Sequence, residues 1–147
     1  MHFAVAVFTK SGDFEEIVEL MEPFSEEVTP EDEYAVQDDD GEWFNPNAKW
    51  DYYSADAGRW TNVIPTIRKT RTNHCAVRDI DLSGDPEIVP FAFVTADGDW
   101  FEKGQMGWFD ISDATIESSK EFERKFFEYL DEARKKNLWI HMIDCHI

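Results

Sequence analysis

The chain has 147 residues, enough for one domain with a real core, and an apolar content of 42% argues against disorder throughout. No apolar run reaches the roughly 18–20 residues of a membrane span, and two cysteines, Cys75 and Cys145, are too few for a secreted disulfide scaffold, which points to a reducing, cytoplasmic setting. The net charge of −18 is concentrated: residues 11–48 hold fourteen acids and no Lys or Arg, and without those acids the chain carries −4.

In chain order, residues 2–8 read as a strand, with Phe3, Val5 and Val7 on one side and Ala4, Ala6 and Phe8 on the other. This run has no basic leader and no small-residue cleavage site, so a strand is expected there and not a signal peptide. Ser11-Gly12-Asp13 turns the chain, and Phe14, Ile17, Val18 and Met21 recur at helical spacing up to Pro23. Residues 23–47 follow as an acidic, irregular insertion containing Pro30, Gly41 and Pro46. Residues 45–60 are dense in Trp, Tyr, Asn and Gly without a clear period, and residues 61–75 read as a loop or an edge strand. A strand is predicted over 76–82 and a turn over 83–86. Asp97-Gly98 between the apolar runs 89–95 and 100–103 predicts a hairpin. Ser118-x-x-Glu121 has capping-box spacing and opens a helix whose stripe is Phe122, Phe126, Leu130 and Ala133, with Arg134, Lys135 and Lys136 at its negative end. A last strand is predicted from residue 138. The expected fold is a single α+β domain over 1–147, with a mixed or antiparallel sheet and two main helices on one face.

Several groups of residues carry candidate chemistry. The acids Glu26, Glu27, Glu31, Asp32, Glu33, Asp38, Asp39, Asp40 and Glu42 form a field that repels nucleic acid and attracts a basic protein surface. The cluster Trp50, Asp51, Tyr52, Arg59, Trp60 and Trp108 can build a pocket in which a planar ring stacks and an anion meets Arg59; the plainer alternative is a loop packing its own aromatics on the sheet. If the final strand continues, Asp144 and His146 share one face and Cys145 the other, so Asp144 can orient the imidazole for acid/base chemistry with Asp51 nearby. Were residues 74–75 to meet the C-terminus, Cys75, Cys145, His146 and Asp51 would supply zinc ligands, although no C-x-x-C or H-x₃-H spacing marks them. Buried thiols and hydrogen-bonded histidines are the alternative, and His2 and His141 are expected to be satisfied strand residues. Asp79 and Asp81, two apart, would share a strand face. No P-loop, G-x-S-x-G elbow or G-x-G-x-x-G turn occurs.

The blocks Lys49-Trp50-Asp51-Tyr52-Tyr53, Gly58-Arg59-Trp60, Asp97-Gly98-Asp99-Trp100 through Gly107-Trp108-Phe109, and Asp144-Cys145-His146-Ile147 resemble a family of small phage and prophage proteins without an assigned function. Ala57 stands where that pattern has a glycine, and the long acidic segment is particular to this chain. The resemblance brings no catalytic residues with it. It implies an accessory or counter-defence role, such as that of anti-CRISPR inhibitors that occupy the basic channel of an effector nuclease. The sequence thus leads to three readings. The first is an inhibitor of a basic, nucleic-acid-handling host protein that acts through the acidic segment, with no direct nucleic-acid or membrane contact. The others are a nucleotide-like ligand binder at the aromatic cluster, and a zinc or acid/base enzyme centred on His146.

Overall fold

The computed structural model describes residues 1–55, 58–84, 88–104 and 115–147. Two long strands, β1 (His2–Thr9) and β10 (Trp139–His146), pair antiparallel over their whole length, from His2 against His146 to Thr9 against Trp139. Both carry apolar side chains on both sides, as strands covered on two faces do, although β10 also holds His141, Asp144 and His146. β8 (Ala92–Val94) joins β1 in parallel, and β9 (Trp100–Glu102) returns antiparallel through the Asp97-Gly98 turn, closed by Thr95 and Asp99. On its other edge β10 is shared: β7 (His74–Ala76) pairs with its first half and β4 (Tyr52–Ser54) with its second. The sheet is therefore mixed, and the fold α+β.

Helix α1 (Phe14–Met21) buries Ile17 and Met21 against Phe3, Val5, Val7, Ile143 and Cys145. Helix α2 (Ile116–Lys135) buries Phe122, Phe126, Leu130 and Ala133 against Ala4, Ala6, Phe8, Ile140 and Met142. The two helices thus cover opposite faces of the sheet, and not a common face as expected. The alternation in β1 already requires this: each of its sides is apolar, and each needs its own cover. The stripe on α2 is the one the sequence gives, but the helix starts earlier than expected. Thr115 is the N-cap, its side chain accepting from Ser118 N–H at 3.0 Å while Ser118 Oγ accepts from Thr115 N–H at 2.8 Å. Ser118 fills the third helical position of the box and does not open it.

Of the strand expected over 76–82, only Ala76, the last residue of β7, is in a strand. Val77–Asp79 forms a 3-10 turn, because Val77 N–H is drawn to Leu138 O at 2.9 Å and Ile80 N–H closes back on Val77 O. That turn separates Asp79 from Asp81, whose carboxylate instead binds Ser83 N–H and hydroxyl. The two acids make no pair. Short ribbons β2 (Val36–Gln37) with β3 (Trp43–Phe44), and β5 (Ile64–Pro65) with β6 (Arg71–Thr72), complete the described elements. No helix among the described residues is long and apolar enough to cross a membrane.

Candidate functional site

The acidic insertion is an ordered excursion held shut at its base. Asn45 is buried, and its amide donates to Pro23 O at 2.8 Å and Ser25 O at 2.9 Å, while its Oδ1 accepts from Asn47 N–H. Alongside it, Glu26 N–H donates to Trp50 O and Lys49 N–H to Phe24 O, both at 2.8 Å. One polar side chain therefore ties both ends of a roughly twenty-residue loop to each other, satisfying carbonyls that would otherwise be unpaired. Further out, Asp38 Oδ1 accepts from Asp40 N–H and Glu42 N–H, and Gly41 takes a φ of +84°, so β2 and β3 form a hairpin with the aspartates at its tip.

All nine acids expected to meet a partner lie on this excursion. Eight are exposed and Asp32 is half-buried, its Oδ2 accepting from Thr29. None of the nine has a cationic partner among the described residues, and Lys49, the first cation after the segment, is committed to Glu102 at 2.9 Å. Three apolar side chains stand among them: Trp43 and Phe44 are each 41% exposed and Val36 46%. Exposed aromatic groups are enriched at protein contacts, and the carboxylates around these give the surface a negative sign.

The aromatic cluster divides. Trp50 turns inward beneath α1, its Nε1 donating to Met21 O at 2.9 Å and its ring meeting Tyr53 edge-on at 4.9 Å. Tyr52, the residue before Tyr53, lies on the other face and stacks on His146 at 4.5 Å. Trp60 packs against the α2-side core, and Arg59 is exposed. Trp108, with Met106, Gly107 and Phe109, lies outside the described residues, as do Ala57 and part of the 83–86 turn. Trp50 and Tyr52 do not share a stacking pocket: Tyr53 joins Trp50 on the α1 side, and its neighbour Tyr52 projects to the opposite side of β4. What Trp50 does share, with Tyr34 and Tyr53, is a cavity of about 270 Å³ between α1 and the acidic excursion.

At the sheet's end the carboxylates and imidazoles pair differently from expectation. His146 Nδ1 meets Asp51 Oδ1 at 2.8 Å, and its Nε2 lies 2.6 Å from the Met1 nitrogen. Asp144 shares the face of His146 but bonds His2 Nδ1 at 2.9 Å and Arg59 N–H at 2.9 Å. The Asp144–His146 pair is thereby replaced by two crossed pairs, His2 with Asp144 and His146 with Asp51, whose imidazoles sit 5.0 Å apart. Gly58 makes this possible, since a Cβ there would stand 2.5 Å from Asp144 Cβ. The adjoining void holds about 10 Å³, room for a single water and no substrate.

The expected zinc ligands do not converge. Cys75 lies in the α2-side core and Cys145 in the α1-side core, separated by the sheet, while His146 and Asp51 bond each other at its end. Burial, reinforced by Asp79, pushes the Cys75 thiol up to about 11, and burial with Asp144 raises Cys145 well above its ordinary value. Both sulfurs are therefore protonated at neutral pH. No group of three potential ligands forms among the described residues. His141 is buried, shares a hydrogen bond with Thr9 Oγ1 at 2.9 Å and stacks on His74 at 5.4 Å. Burial and the charge of His74 push it down to about 4, against the pull of Glu16.

Sequence reasoning missed Asn45 and the cavity residues Glu22, Tyr34 and Tyr53. The available signal was Asn-Pro-Asn directly after the acidic run, a sequence suited to closing a loop with side-chain amides. No protein-family model, no curated protein and no solved structure matches this chain.

Proposed function

We propose that this protein acts by binding, docking its acidic excursion on the basic surface of a nucleic-acid-handling host protein, such as an effector nuclease, as a phage-type counter-defence inhibitor in the bacterial cytoplasm. The observation that carries this is the excursion itself: nine carboxylates, none neutralised by a Lys or Arg among the described residues, fixed at its base by Asn45. Held in place, these charges do not have to be ordered on contact, which lowers the entropic cost of association. Their sign accelerates encounter with a basic partner and disfavours nucleic acid. Trp43 and Phe44 supply the apolar contact that charge alone lacks.

The test compares two neutralised variants as baits in bacterial lysate. One carries Asp39→Asn, Asp40→Asn and Glu42→Gln on the excursion. The other carries three equivalent changes on α2, at Glu121, Glu128 and Glu132. Capture of a nucleic-acid-binding protein that is displaced by duplex DNA, lost in the first variant and kept in the second, is the expected result. Equal loss in both, or capture indifferent to DNA, overturns the proposal.

A further inference from the structure

The 270 Å³ cavity lies where α1 passes over the root of the acidic excursion, and its walls are of three kinds. Tyr34, Trp50 and Tyr53 present aromatic surface, and Trp50 is held in place by its bond to Met21 O and its edge-on contact with Tyr53. Glu22, Glu27 and Asp32 bring carboxylates to the same space. Val18 and Val28 add an aliphatic side, Val18 being 43% exposed there although it belongs to the apolar side of α1. Neither Glu22 nor Glu27 has an ion-pair partner among the described residues.

Each wall selects for the same ligand property. Aromatic faces carry negative potential and attract ammonium and guanidinium groups. The carboxylates complete the charge, and the valines suit a methylene stem, which long basic side chains carry. The Tyr34 phenol is raised above its ordinary value, by burial and then by Glu22, Glu33 and Asp32, so the field at this wall is negative. A nucleotide or other anion is disfavoured in such a cavity.

We infer that this cavity is a receptor site for an organic cation, an ammonium or guanidinium group on an apolar stem. It is independent of the charge at the tip of the hairpin, and it gives the acidic surface a specific recess in addition to a general field. The cation can be a Lys or Arg side chain of a protein partner or a free small amine, and the chemistry is shared.

Agmatine, a guanidinium on a four-carbon stem, is the probe, titrated by calorimetry into the full-length protein. Saturable one-site binding with a Kd of about 1 mM or tighter is expected. It should weaken at least tenfold in the exposed pair Glu22→Gln/Glu27→Gln and in Tyr34→Leu, and stay unchanged in Asp39→Asn/Asp40→Asn. Competition by an arginine-containing peptide assigns the site to a partner side chain, and absence of competition assigns it to a free amine. No saturation up to about 10 mM, or equal weakening in the hairpin variant, overturns the site. Because Asp39 and Asp40 are two of the three positions neutralised in the docking-surface test and neither lines the cavity, loss of either proposal leaves the other readable.

Discussion

Replacing Asn45 by alanine should release the acidic excursion while leaving the sheet folded. The side chain makes three hydrogen bonds, to Pro23 O, Ser25 O and Asn47 N–H, and it is buried, so water does not replace them at once. Such bonds contribute about 1 kcal/mol each, and orphaned buried carbonyls cost about 1–3 kcal/mol, which puts the loss at about 2–3 kcal/mol. That is roughly a 30- to 150-fold change in the opening equilibrium. Amide hydrogen exchange reads it directly at Glu26 and Lys49, whose N–H groups bridge the two ends of the loop. Their protection should fall by that factor while the far-UV spectrum stays native. Unchanged protection at both amides would refute the clamp, and outright unfolding would show that the excursion is integral to the core.

Two further perturbations follow from buried contacts. His141 is held down at about 4 from an ordinary 6.5, so the folded state binds fewer protons than the unfolded state between those values. Its contribution to stability is full above that window and lost as pH falls through it, about 3 kcal/mol in all; His141→Gln should flatten the pH dependence of the urea midpoint, and an unaltered slope would contradict this. Gly58→Ala places a Cβ 2.5 Å from Asp144 Cβ and should cost about 1–3 kcal/mol in thermal denaturation. Gly84→Ala, with nothing within 4 Å, should be close to neutral, and equal melting shifts for the two would count against the Gly58 contact.

Periodicity made the long elements legible. β1, α1, the Asp97-Gly98 hairpin, the α2 stripe and β10 all lie where the apolar spacing puts them, because each buries a continuous face. The placement of the helices was also present in β1, whose two apolar sides demand two covers. Residues 76–82 misled because their alternation is real, but the bond from Val77 to Leu138 O depends on a partner more than fifty residues away. The crossed pairing of His2, Asp51, Asp144 and His146 is likewise tertiary: strand alternation put Asp144 and His146 on one face, and only the register with β1 and β4 decides which imidazole each carboxylate meets. The acidic field was visible from composition. Its ordering by Asn45 and the aromatic recess at its root were not, since both join residues far apart in the chain.

The claim that the acidic excursion is a docking surface is tested most directly by the salt dependence of its binding. Fluorescence anisotropy of a labelled arginine-rich peptide, titrated at several ionic strengths, gives affinity against salt for the native chain and for the Asp39→Asn/Asp40→Asn/Glu42→Gln variant. Affinity is expected to fall steeply as salt rises, with a shallower dependence and weaker binding in the variant. Affinity that holds level with salt, or a slope the three substitutions leave unchanged, would contradict it.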